Sequence, residues 1–194
     1  MLVLLRPLAF INTYVLRLGR HLAWVALALM VAVILLQVLM RYVFNNALAW
    51  PDEAARFLML WMTGLVAPSA FRWGGFVAID MVPRALPRTI GLVLAIVLLM
   101  LSLGVLVVGI QQSYTHTFGF GGNFNSSSLK LPFDWFGGDS IRVKLRFMYA
   151  SLFVGIVMLL AVNVELLLRA ALALLAPGKE LPGDDAPDEM LGAD

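Results

Sequence analysis

The sequence predicts an all-α integral membrane protein with four transmembrane helices, and three observations carry that prediction. Hydrophobic residues make up 61% of the 194-residue chain and charged residues only 13%, with a mean hydropathy of +0.90. A soluble domain of this size would carry far more charge. Uncharged runs near 20 residues recur, and at about 1.5 Å per residue each can cross a ~30 Å hydrocarbon core. Most arginines stand beside these runs, where interface anchors belong. A short interfacial helix is expected between spans two and three, and another at the N-terminus. Residues 1–176 read as a single membrane domain, and residues 177–194 as a disordered acidic tail.

Composition also excludes several chemistries. The chain has no cysteine, so a disulfide framework, a thiolate metal site and a cysteine nucleophile are all out. The formal net charge is only +2 and no concentrated basic face is present, which argues against nucleic acid. No internal repeat is visible, against the expectation for a small transporter built from inverted repeats.

Taken in order, residues 1–20 mix apolar positions with Arg6, Arg17 and Arg20 and read as an interfacial helix rather than a signal peptide, because no small-x-small cleavage site closes them. Span one covers about 21–42. Ala28 and Ala32 offer a small-xxx-small pair for close helix approach, and Gln37 lies one turn before Arg41. Asn45-Asn46 breaks the run, and Pro51 is a favoured first helical residue for span two, about 51–71. Asp52 and Glu53 then occupy the first turn, where the helix dipole favours negative charge, with Arg56 placed to pair with them. The uncharged stretch from Phe57 to Phe71 is only about 22 Å long, so the helix must take in Arg56.

Residues 72–88 form a basic connector read as an interfacial helix, with Arg72, Asp80, Arg84 and Arg88 at the interface. Span three covers about 89–113, with Gly91, Gly104 and Gly109 as packing notches. The glycine, asparagine and serine content of residues 113–146 predicts irregular backbone. Span four covers about 147–169, with Ser151 and Gly155 as a second small-xxx-small pair and Glu165–Arg169 as an i, i+4 ion pair. Four spans put both termini on one side. Eight basic residues (Arg6, Arg17, Arg20, Arg72, Arg84, Arg88, Arg169, Lys179) share that side against six on the other, a slight bias towards cytoplasmic termini.

No catalytic or cofactor site emerges. His21 and His116 fall at opposite ends of their spans, which disfavours a bis-histidine haem or a shared metal. Gly119-Phe120-Gly121-Gly122 lacks the Gly-Lys-Ser/Thr of a phosphate loop. Asp52 and Glu53 point about 100° apart on a helix and cannot face each other across a substrate. The residues alone therefore describe a four-span protein with a polar, partner-facing corner.

That corner resembles the small membrane subunit of tripartite ATP-independent periplasmic (TRAP) transporters, the DctQ-like family. The resemblance is carried by Gln37-Val38, Arg41-Tyr42-Val43-Phe44-Asn45 and Trp50-Pro51-Asp52-Glu53-Ala54-Ala55-Arg56. It continues through Trp61, Gly64 and Ala70-Phe71-Arg72 to Gly74-Gly75-Phe76-Val77-Ala78-Ile79-Asp80. Asp52 stands where the family has the first Glu of Trp-x-Glu-Glu-x-x-Arg, and Phe76 stands where its connector has a His. Residues 136–146 read as an insertion. The resemblance implies a non-enzymatic scaffold subunit in the bacterial inner membrane. Its partners would be a large multi-span permease, a periplasmic substrate-binding protein and membrane lipid. It implies sodium-coupled uptake of an organic acid, with the sodium held by the large subunit and no cofactor in this chain. Arg41, Trp50, Asp52, Glu53 and Arg56 would then set the corner against the partner; the competing reading is that they only anchor the fold at the interface. The alternative function is a haem- or quinone-binding four-helix anchor of a respiratory enzyme. A self-contained exporter is a third reading, disfavoured by spans without central charges.

Overall fold

The computed structural model describes residues 2–74, 87–131 and 141–175. Four helices dominate it: α1 (Leu2–Tyr42), α2 (Trp50–Arg72), α3 (Arg88–Phe118) and α4 (Arg146–Leu175). Each is long and apolar enough to cross a membrane, which establishes the all-α, four-span class. Residues 75–86 of the connector expected to hold an interfacial helix, Asp80 and Arg84 among them, lie outside the described residues, as does the acidic tail.

The N-terminus differs from expectation. Instead of a separate interfacial helix, α1 is one continuous helix of 41 residues with Pro7 inside it. Its buried positions explain the continuity. Leu5, Ala9, Asn12, Leu16, Gly19, Ala23 and Ala26 are buried at alternating steps of four and three residues. That is a heptad seam, and it runs from the expected interfacial segment into span one without a break. Ala28 and Ala32 lie off the seam and are exposed, so close approach falls to Ala23 and Ala26 instead.

α2 and α4 are the central pair. α1 packs on α2 and, less extensively, on α4, whereas α3 packs along α4. The pairings fix the directions. The Trp61 indole N–H donates to the Phe147 carbonyl at 3.1 Å, and Arg72 reaches Glu165, so α2 and α4 run parallel. Thr13 meets Arg72 while Gly19 meets Leu65, so α1 runs against both. The same pairings reveal a stagger. Trp61, midway along α2, lies level with the first turn of α4. About 15 Å of α2 therefore extends past the start of α4, and there it meets the first strand of a small hairpin.

That hairpin is the second departure. β1 (Asn125–Leu131) pairs antiparallel with β2 (Ile141–Lys144), with Leu131 opposite Ile141 and an irregularity between Asn125 and Lys130. α3 first continues to Phe118, beyond its expected end, and a single 3-10 turn (Phe120–Asn123) leads to β1. Aromatic packing holds this extension. Phe118 lies 4.9 Å from Tyr114 and 6.1 Å from Phe153 of α4, centroid to centroid. The glycines that suggested irregular chain make a tight turn instead: a Cβ on Gly119 would fall 2.2 Å from the Thr115 carbonyl oxygen.

Among the described residues, Thr117 Oγ1 and both polar atoms of the Asn163 side chain are buried without a hydrogen-bond partner, and Asn163 is the larger loss. Asn163 of α4 is fully buried, and neither its Oδ1 nor its Nδ2 has a hydrogen-bond partner. It stands seven residues after Ile156, which packs on Gly109, so it faces α3. A buried amide without partners costs more than an apolar side chain of the same shape. Asn163→Leu is therefore expected to stabilise the protein by about 1–2 kcal/mol. A lowered thermal midpoint in mild detergent would count against this.

Candidate functional site

The most chemically loaded point of the molecule is Glu165. Its side chain is fully buried in α4, and three helices converge on it. Arg72, at the end of α2, donates from Nε at 3.2 Å and from NH2 at 2.8 Å to Glu165 Oε1. Arg169, one turn along α4, donates to the same oxygen from Nε at 3.0 Å and NH2 at 2.7 Å. Asn12 of α1 donates from Nδ2 to Glu165 Oε2 at 2.8 Å and to the Ala161 carbonyl at 3.2 Å. Arg72 NH1 donates to Thr13 Oγ1 at 2.7 Å, closing the link between α2 and α1.

Burying a carboxylate is expensive unless charge and hydrogen bonds compensate. Here both oxygens are engaged, and two guanidiniums neutralise the one negative charge with a positive charge to spare. The cluster is thus internally saturated: it presents no open carboxylate oxygen to a solute or an ion. Its chemistry suits fixing the register of α1, α2 and α4.

Arg72 belongs to a ladder along the α4-facing side of α2. Trp61 bonds to the start of α4, Gly64 meets Ser151 and Gly155, and Arg72 meets Glu165. At Gly64 the two backbones nearly touch: an added Cβ would lie 2.6 Å from the Ser151 carbonyl oxygen, and one on Gly155 would lie 2.9 Å from Gly64 Cα. Ser151 and Gly155, read as a packing pair, are both buried at this crossing. The expected Glu165–Arg169 pair forms. Arg72, expected as an anchor of the membrane-interface connector, is instead buried in the ion-pair cluster, because its partner lies 93 residues away on α4.

The corner residues are placed differently. Arg41 is exposed, with its guanidinium carbon 5.7 Å from the Tyr42 ring. Asp52 and Arg56 are exposed and no ion pair joins them, although both lie on α2 at the expected spacing. Trp50 and Glu53 are half-buried. Arg88 is the first residue of α3. His116 packs on Tyr149 at 5.8 Å near the start of α4, whereas His21 follows Arg20, which bonds to Ser69 near the end of α2. The two histidines therefore sit at opposite ends of the bundle, too far apart to share a haem or a metal. Among the described residues no group of three or more His, Cys, Asp or Glu side chains is arranged to hold a metal ion.

A staggered four-helix bundle, apolar on its outside and locked by buried charge at one end, defines a multi-pass integral membrane protein. Comparison with protein families supplies the rest. Residues 30–173 match the family described as tripartite ATP-independent periplasmic transporters, DctQ component, and the chain belongs to that family. It is thus a transporter subunit of the membrane. Comparison with curated proteins finds no match.

Proposed function

We propose that this chain is the small scaffold subunit of a TRAP transporter. It would support a large permease subunit in sodium-coupled, binding-protein-dependent uptake of an organic acid. The observation that carries the reading is the saturated Glu165 cluster: the one buried carboxylate described is spent on holding α1, α2 and α4 together. Family membership supplies the transporter context. Substrate and sodium sites then belong to the large subunit, and no cofactor is needed here.

The exposed corner is the surface offered to partners. Arg41, Trp50, Asp52, Glu53 and Arg56 stand where α1 ends and α2 begins, on the part of α2 that extends past α4 towards the hairpin. Asp52 and Arg56 leave their charges open to a partner rather than to each other. The large permease or a docked substrate-binding protein would meet them there. With both termini cytoplasmic, this end faces the periplasm of a bacterial inner membrane.

Gentle solubilisation of native membranes with the tagged chain should recover a permease of many more spans in stoichiometric amount by mass spectrometry. Recovery of respiratory redox subunits and a Soret band would instead favour the haem-anchor reading. Arg56→Ala should insert and assemble normally yet reduce solute uptake severalfold. Loss of the variant protein from the membrane would assign Arg56 to anchoring the fold.

A further inference from the structure

α2 has two unlike sides. On one, Leu65 meets Gly19 of α1, and Trp61, Gly64 and Arg72 meet α4. On the other, Asp52, Arg56, Met59, Thr63 and Val66 are all exposed. At about 100° per residue these five fall within about 80° of one another, so they form one straight stripe along the helix. The neighbouring spans expose a different surface. The outward residues of α3, such as Val93, Val97, Met100 and Val108, are aliphatic along its length. The exposed side chains of α1 from Val25 to Leu39 are apolar as well. The α2 stripe instead carries two charges of opposite sign and a hydroxyl.

Depth gives that contrast its weight. Arg56 stands about 24 Å along the helix from Arg72. With Arg72 and Trp73 at one boundary of a ~30 Å hydrocarbon core, Arg56 lies inside the other. An exposed charge at that depth is costly against lipid and less so against a protein surface with polar groups of its own. Further along the stripe the side chains are small. The Thr63 hydroxyl donates to the Met59 carbonyl at 2.9 Å and is thereby satisfied, and Ala70 continues the line beyond Val66. Small side chains and satisfied hydroxyls let a second membrane helix approach closely.

We propose that the α2 stripe from Asp52 to Val66 is the surface on which a membrane-spanning helix of the large permease packs, and that the outer face of α3 is left to lipid. This rests on the scaffold reading above and narrows it. The partner is embedded in the bilayer, follows α2 inward from the corner, and presents polar groups of its own at the level of Asp52 and Arg56. A soluble substrate-binding protein reaches the corner but not Val66.

The test is site-specific photo-crosslinking of the full-length chain in its native membrane, with the photoreactive residue benzoylphenylalanine in place of Val66 or Val108. The two valines lie at similar depth, because Gly64 touches Gly155 while Gly109 packs on Ile156. Val108 is the more exposed, 64% against 39%, so contact governed by exposure alone favours it. Position 66 should nevertheless give an adduct with a multi-span permease, identified by mass spectrometry, severalfold above that from position 108. Val66→Trp should lower permease recovery severalfold and Val108→Trp should leave it unchanged, with helix content kept in both because each side chain faces outward. Equal adducts at the two positions, or more at 108, would overturn the proposal, and so would an adduct from position 66 with a second copy of this chain. A permease that copurifies without crosslinking to position 66 sinks the stripe alone. If no permease copurifies at all, the scaffold reading fails and the stripe fails with it.

Discussion

Glu165→Leu is expected to be among the most damaging single substitutions in this protein. It removes the one acid that, among the described residues, pairs with two arginines whose side chains are 4% and 11% exposed, and it strips Asn12 of an acceptor. Removing one partner of a buried pair costs about 3–5 kcal/mol, because the remaining charge stays desolvated without compensation. Arg169 can swing towards solvent or headgroups, but Arg72 is pinned by Thr13 and by the end of α2. The expected result is a large fall in the thermal midpoint of the detergent-solubilised protein. A double-mutant cycle gives the sharper reading. Arg72→Met should also destabilise, and Arg72→Met with Glu165→Leu should cost clearly less than the two singles added, since the pair leaves together. Simple additivity would mean that the two side chains contribute independently and that the cluster is not a clamp.

The second large effect is expected at Gly64. An alanine there places its Cβ within 2.6 Å of the Ser151 carbonyl oxygen, which is backbone and cannot rotate aside. The helices must separate, with loss of the Trp61–Phe147 bond above and strain on the Arg72–Glu165 pair below. Overpacking of this kind costs about 1–3 kcal/mol, and Gly64→Leu should exceed Gly64→Ala. Gly104 is the control. It was expected to be a packing notch like Gly109, but nothing lies within 4 Å of an added Cβ there. Gly104→Ala should therefore leave the isolated chain within about 0.5 kcal/mol of wild type, or slightly more stable through helix propensity. Equal losses at Gly64 and Gly104 in thermal unfolding would mean that the α2–α4 crossing is looser than the structure has it.

Both effects bear on function through geometry. The clamp and the crossing hold α2 parallel to α4 with its first half projecting past α4. That projection carries Trp50, Asp52, Glu53 and Arg56. If the clamp loosens, the corner loses its fixed height and angle relative to the rest of the bundle, so a change near Glu165 would reach a partner bound at the far end of α2. Uptake measured for Glu165 variants that still assemble would register this coupling.

The class of this protein and the existence of its four spans were legible in the order of its residues. Uncharged runs of membrane length admit few other folds, since a spanning backbone must satisfy its hydrogen bonds internally. Helix starts were legible too: Pro51 with Asp52 and Glu53 behind it opens α2. The Glu165–Arg169 pair was legible because its partners are one turn apart on one helix, and helix geometry alone brings them together. What lay across helices was not. Arg72 reads as one more interface arginine until its partner 93 residues later is seen, and Asn12 gives no hint of meeting Glu165 across 153 residues. The continuity of α1 was hidden for the same reason, because its seam is defined by the helices it packs on and not by charge at its start. Likewise the glycine-rich segment after α3 looked irregular, yet packing of Phe118 on Phe153 extends the helix and the hairpin follows. Local spacing encodes contacts within one helix. Which buried charge meets which depends on helix order, direction and stagger, and these emerge only when the helices pack in the bundle.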